Sequence, residues 1–192
     1  MAEPAFSRMT LNDFLTWEDG TDTRYELIGG FVVAMAPPSP AHSALAARLG
    51  SRIDAALASR RPCMTYAEAG ILRQDRSDSF FVADIAASCT PIRPHRQSVE
   101  DPILIVEILS PSTEVHDRRF KVPAYREIET VQEVLLVGSD ARYAELHRRA
   151  GERWFVEILR ASKDTIRLTS VGAEIPLSEL YDGIIFDDQL AV

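Results

Sequence analysis

The segment Ile103-Leu104-Ile105-Val106-Glu107-Ile108-Leu109 holds six aliphatic residues and one carboxylate, between Asp101-Pro102 and Ser110-Pro111. An aliphatic run of this length with turn signals at both ends reads as a strand buried on both faces. A charge in such a strand costs on the order of several kcal/mol unless a metal ion, a cationic side chain or a proton compensates it. Glu107 is therefore the first functional candidate. The plain alternative is a structural buried pair with an arginine.

The surrounding pattern alternates helix and strand signals. Thr10 caps a short helix over Leu11–Leu15. Two apolar runs, Arg24–Ile28 and Phe31–Met35, flank Gly29-Gly30 and predict a β-hairpin. Leu45, Leu49, Ile53 and Leu57 recur every four residues and predict an amphipathic helix from His42 to Ser59. Strand signals follow at Met64–Tyr66, Gly70–Arg73 and Phe80–Ile85, then a polar loop from Ser88 to Pro102. After the Glu107 strand, Ser110–Thr113 leads into a helical stretch over Asp117–Glu127. Pro123 predicts that Asp117–Lys121 is a single turn, with a helix restarting near the proline. Glu133–Val137, Tyr143–Arg148, Trp154–Leu159 and Thr165–Leu168 read as strands, partly as antiparallel hairpins. One mixed α/β domain spanning residues 1–192 is the simplest account.

The chain is acidic, with a formal net charge of -8, which counts against a broad basic surface for nucleic acid. Local arginine clusters at Arg48/Arg52/Arg60/Arg61, Arg93/Arg96 and Arg118/Arg119/Lys121 read first as solvated faces. No run is long enough to span a bilayer, and no secretory leader pattern is visible. Cys63 and Cys89, far apart and without metal-ligand spacing, are expected to be free thiols of a reducing compartment, and hence of a cytoplasmic protein.

Asp84 is the lone carboxylate of a second apolar strand, Phe80–Ile85. If that strand neighbours the Glu107 strand, both carboxylates reach one point and cannot both stay ionised without a cation. Oxygen ligands favour Mg²⁺ or Mn²⁺, and a lysine such as Lys121 could orient a water or stabilise charge on a phosphate. Glu26 is either a third acid or an exposed hairpin residue, and Asp84 on its own could be a strand-end cap. Asp117 and Lys121, spaced i, i+4, read first as a surface ion pair. Among the four histidines only His42, at a helix start, stands out as a neighbour of such a site.

These residues resemble successive blocks of the Uma-type restriction endonuclease family, within the PD-(D/E)xK nuclease superfamily. The blocks are Tyr25–Gly30, Pro38–His42, Val82–Ile85, Val106–Thr113 and Asp117…Lys121…Tyr125, in order over roughly residues 8–140. The resemblance implies a restriction-endonuclease-like core, a mixed β-sheet flanked by helices. It implies a Mg²⁺- or Mn²⁺-dependent endonuclease hydrolysing DNA phosphodiester bonds. Asp84, Glu107 and the Ile108 carbonyl would be metal ligands, and Glu26 and Lys121 would complete the catalytic set. His42, Asp117 and Tyr125 would line or brace it. The superfamily lysine position two residues after the second acid holds Leu109, so the lysine is assigned to the following helix. Ala83 stands for the signature proline and Gly29 for a usual Asp, and the match weakens after Tyr125. The competing readings are a catalytically inactive nuclease-like binding or assembly module, and a hydrolase of another phosphate ester. The likeness and the apolar C-terminal strands also suggest a homodimer.

Overall fold

The computed structural model describes residues 8–73 and 76–186. Thr10 and Asp13 form a reciprocal capping box for α1 (Leu11–Thr16). The Gly29-Gly30 pair turns β1 (Tyr25–Ile28) into β2 (Phe31–Ala34) with both glycines at positive φ, +56° and +86°. A two-residue hairpin matched to strand twist requires this, and only residues without a side-chain penalty meet it cheaply. Ser39 accepts a hydrogen bond from the His42 amide and Pro40 opens α2 (Pro40–Leu57), whose Leu45, Leu49, Ile53 and Leu57 are all buried.

The two short strand signals after α2 are one strand, β3 (Met64–Leu72), paired antiparallel along β4 (Phe80–Ser88). Next come β5 (Pro102–Leu109) and the helical connection α3 (Glu114–His116), a π turn (Asp117–Lys121) and α4 (Val122–Arg126). The helix does not break and restart at Pro123. It begins at Glu114 and widens, the Val122 amide donating to the Asp117 carbonyl. A wider turn is one way to accommodate a proline, which lacks an amide hydrogen and crowds the carbonyl four residues back. The chain continues through β6 (Glu133–Gly138), β7 (Ala144–Ala150), β8 (Arg153–Leu159), a separate hairpin of β9 (Thr165–Leu168) and β10 (Ala173–Pro176), and α5 (Leu177–Leu180).

The large sheet runs β2-β1-β4-β5-β6-β7-β8, with β3 also on β4. β5 and β6 are parallel, joined by the 114–126 helix as a crossover, and the other pairings are antiparallel. Alternation along β5 and β6 divides the core. Leu104, Val106, Ile108, Leu135 and Val137 pack with α2, whereas Ile105, Leu109, Val134 and Leu136 pack with Val122 and Tyr125. The fold is thus a mixed α/β sheet flanked by helices.

The cysteines overturn an expectation. Cys63 precedes β3, Cys89 follows β4, and the two are joined in a disulfide. Met64 pairs with Ser88 in the β3–β4 register, so the cysteines are the next opposed pair. A 26-residue separation hides this, because only strand register brings them together. The free-thiol argument for a cytoplasmic location goes with it. Among the described residues no helix is long and apolar enough to cross a membrane.

Candidate active site

Strand β4 shares one edge between two partners. β1 meets it only at Leu27–Phe80, while β5 pairs with Ile85–Ser88. The stretch between them, around Val82 and Asp84, has no strand partner on that edge, and its backbone groups must be satisfied otherwise. The Val82 amide donates to Glu26 Oε1 (2.8 Å), and the Val82 carbonyl accepts from Lys121 Nζ (3.0 Å). Beyond Val106 the Ile108 amide donates to Asp84 Oδ2 at 2.6 Å. Extending the Ile85–Val106 register by one pair sets Asp84 opposite Glu107, so both leave the same face of the sheet.

Lys121 Nζ sits in this opening, 2.8 Å from Glu26 Oε1, 3.3 Å from Glu107 Oε1 and 3.6 Å from Asp117 Oδ1. Glu26, Glu107, Asp117 and Lys121 are all buried. The Tyr125 hydroxyl donates to Glu107 Oε1 at 2.6 Å, and His42 Nε2 lies 3.2 Å from Asp84 Oδ1. The eight residues singled out from sequence, Glu26, His42, Asp84, Glu107, Ile108, Asp117, Lys121 and Tyr125, therefore meet at one place. Glu26 is not an exposed hairpin residue, Asp117–Lys121 is not a surface pair, and the compensator of Glu107 is a lysine rather than an arginine.

One neighbour was missed. His116 Nε2 approaches Glu26 Oε2 at 3.9 Å and makes no hydrogen bond there. Metal-ligand spacing among histidines gave no sign of it. The available signal was its position just before Asp117 in the same helix. The arginine clusters are largely tied to the chain itself: Arg48 to the Leu180 carbonyl, Arg60 to the Ser170 carbonyl, Arg52 to Glu179, and Arg118 to Glu114 and Glu145.

The electrostatics follow from burial. Burial pushes the Glu107 carboxyl well above its ordinary range, and Lys121 offsets only part of this. Asp117 is pushed up for the same reason. Burial alone would pull Lys121 down, but Glu107, Glu26 and Asp117 more than reverse it, so the amine stays protonated. Burial and the charge of Glu107 raise Tyr125, keeping its hydroxyl a donor. The His42 imidazole is raised by its hydrogen bond to Asp84.

Four carboxylates against one lysine leave the pocket short of positive charge, and every acidic donor is an oxygen. This chemistry suits a hard divalent cation. Among the described residues no three His, Cys, Asp or Glu side chains are grouped to hold a metal on their own. Asp84, Glu107 and the Ile108 carbonyl would need solvent to complete a shell, as Mg²⁺ usually does.

A mixed α/β sheet opened beside an acid–lysine cluster places the chain in a nuclease-like class. The same fold occurs in the crystal structure of "a putative nuclease belonging to DUF820 from Anabaena variabilis ATCC 29413", with a TM-score of 0.72, 19% identity, and coverage of 90% of this chain and 97% of that one. Residues 11–178 match the Uma2 family, described as "Putative restriction endonuclease", and the chain belongs to that family. Two uncharacterised proteins of Synechocystis sp. are similar along most of their length. One is 28% identical over 94% of this chain and 95% of its own. The other is 24% identical over 84% of this chain and 93% of its own.

Proposed function

We propose that the protein is a Mg²⁺- or Mn²⁺-dependent endonuclease that hydrolyses DNA phosphodiester bonds. The observation that carries this reading is the cluster itself. Three carboxylates lie within 3.6 Å of one buried ammonium, and a fourth, Asp84, is bonded to the amide of the residue after Glu107. An arrangement so short of positive charge is a poor structural element and a good seat for a cation and a phosphate. When bound at Asp84, Glu107 and the Ile108 carbonyl, a divalent cation supplies Lewis-acid polarisation of a phosphate oxygen.

The chain's own residues do the rest. Lys121 is held protonated, so its role is a fixed positive charge for the charge that builds on the phosphate, not that of a base. Glu26 bridges the Val82 amide and the lysine and fixes where that charge sits. Tyr125 orients Glu107, and His42 orients Asp84. His42 and Asp84 are partly open, each with under a fifth of its side chain exposed, and His116 is 29% exposed beside Glu26, so substrate approaches between the start of α2 and α3.

Supercoiled plasmid tests this. Wild type with Mg²⁺ or Mn²⁺ is expected to produce nicked and linear DNA, and to produce neither in EDTA. Glu107→Gln and Asp84→Asn are expected to lose cleavage while remaining folded. Cleavage by Glu107→Gln at the wild-type rate would overturn the assignment. So would a folded wild type that binds neither cation by calorimetry, which fits a non-catalytic module instead.

A further inference from the structure

Strand β8 ends the large sheet, and among the described residues it pairs only with β7. Its other edge offers a row of amides and carbonyls, the condition under which a strand recruits another strand. Native edges are usually shortened, kinked, or guarded by lysine or proline. The segment Arg153-Trp154-Phe155-Val156-Glu157-Ile158-Leu159 has neither residue and keeps a regular register along all seven positions. Phe155, Val156 and Ile158 are 61%, 49% and 54% exposed, on both faces of the strand.

On the Glu107 face the exposure of Ile158 can be traced across the sheet. Across the sheet Glu107 neighbours Leu136, Leu136 neighbours Glu145, and Glu145 neighbours Ile158. Helix 114–126 covers the inner part of that row, and Arg118 reaches out as far as Glu145. Ile158, at the end of the row, is left 54% exposed.

We propose that β8 is a self-pairing edge, where a second copy of this chain adds its own β8 antiparallel about a two-fold axis at Phe155. The sequence is self-complementary in this register. Arg153 opposes Glu157 of the second copy twice over, Trp154 opposes Val156, and Phe155 opposes itself. Shifting the pairing to centre on Val156 would set Phe155 against Glu157 and Arg153 against Leu159. Opposite charges and aromatic or β-branched residues directly across a pair stabilise a ladder, whereas like charges oppose it. A two-fold interface repeats each contact, so the charge pair counts twice. The partner is therefore another copy rather than an unrelated strand, for which this matching would have no cause. β8 lies three strands from β5, so the pairing leaves the Glu107 site open.

Sedimentation velocity on the full chain across a concentration series tests this independently of any nuclease activity. The wild type is expected to be a dimer that dissociates on dilution. Arg153→Glu and Glu157→Arg each place like charges opposite one another and are expected to raise the dissociation constant about tenfold or more. The double variant Arg153→Glu/Glu157→Arg re-forms the pairs with reversed sign and is expected to return to within about threefold of wild type. All three change solvent-facing side chains, and circular dichroism checks that the fold is kept. A wild type that stays monomeric at every concentration overturns the proposal, whatever else then covers the strand. A dimer indifferent to both single variants also overturns it, by placing the interface elsewhere.

Discussion

Glu107→Gln separates the electrostatic cost of the site from its chemistry. The substitution keeps the side-chain volume and leaves an amide oxygen for the Tyr125 hydroxyl, which now lies 2.6 Å from Glu107 Oε1. Lys121 keeps Glu26 at 2.8 Å and Asp117 at 3.6 Å. Below the ordinary glutamate value of 4.5 the wild-type carboxyl is protonated in both states, and the two proteins should be about equally stable. Above it the unfolded chain ionises while the buried carboxyl holds its proton. Wild type then releases a proton on unfolding and loses stability as pH rises. The variant has nothing to titrate there. The stability difference should therefore grow in favour of the variant by about 1.4 kcal/mol per pH unit. It levels off once the folded carboxyl ionises. The assay is urea denaturation of both proteins in EDTA at half-unit steps from pH 4 to 8.5. A difference that does not rise at all above pH 4.5 would refute the reasoning, because it would mean that Lys121 and Tyr125 fully compensate the buried charge. Repeating the series with Mn²⁺ should shift the comparison back toward wild type at every pH. A cation at about 100 times its dissociation constant stabilises the protein that binds it by about 2.7 kcal/mol, and only wild type retains the ligand.

Lys121→Met removes the cation from among three buried carboxylates and should cost about 3–5 kcal/mol at pH 7, measured in urea, with DNA cleavage lost. The raised amine makes that contribution present at every pH below its ordinary 10.5 and lost only as the solution becomes more alkaline. Cys63→Ser opens the 26-residue disulfide loop and should cost about 3 kcal/mol, with reduced wild type falling to the same stability. Pro123→Ala restores an amide that can donate to the Arg119 carbonyl and should let the π turn relax toward α. Thermal unfolding should then rise or stay level while cleavage falls, because Lys121 turns away from Glu26.

Much of the fold was legible where one local rule dominates. Gly29-Gly30 has a single good use between two apolar runs, and the four-residue recurrence of Leu45, Leu49, Ile53 and Leu57 admits one face. The sequence was silent where the answer depends on register between distant strands. The disulfide is one case. Glu133 is another: it opens an apolar strand as if facing solvent, yet it is wholly buried and held by Arg148, Thr169 and Ser170. Burial pushes its carboxyl up, but those hydrogen bonds win and hold it below its ordinary range. Glu107, with one hydroxyl and a shared lysine, shows the opposite balance.

The candidate site was legible residue by residue because each acid interrupts an apolar run, which local pattern reveals. Its architecture was not, since it depends on β1 and β5 dividing one edge of β4 and leaving Val82 between them. That gap explains the place of Lys121. Leu109 occupies the position two residues after Glu107 and faces inward against Val122 and Tyr125, so a lysine there would lose that packing. The ammonium enters instead from the crossover helix, through the gap, and takes the Val82 carbonyl that no strand claims. A lysine on β5 would be fixed by sheet register. One on the helix is fixed by how Val122 and Tyr125 pack against Ile105, Leu109 and Leu136. The reach of the cation is thus set by helix–sheet packing, and core substitutions at those positions should move it without touching an acid.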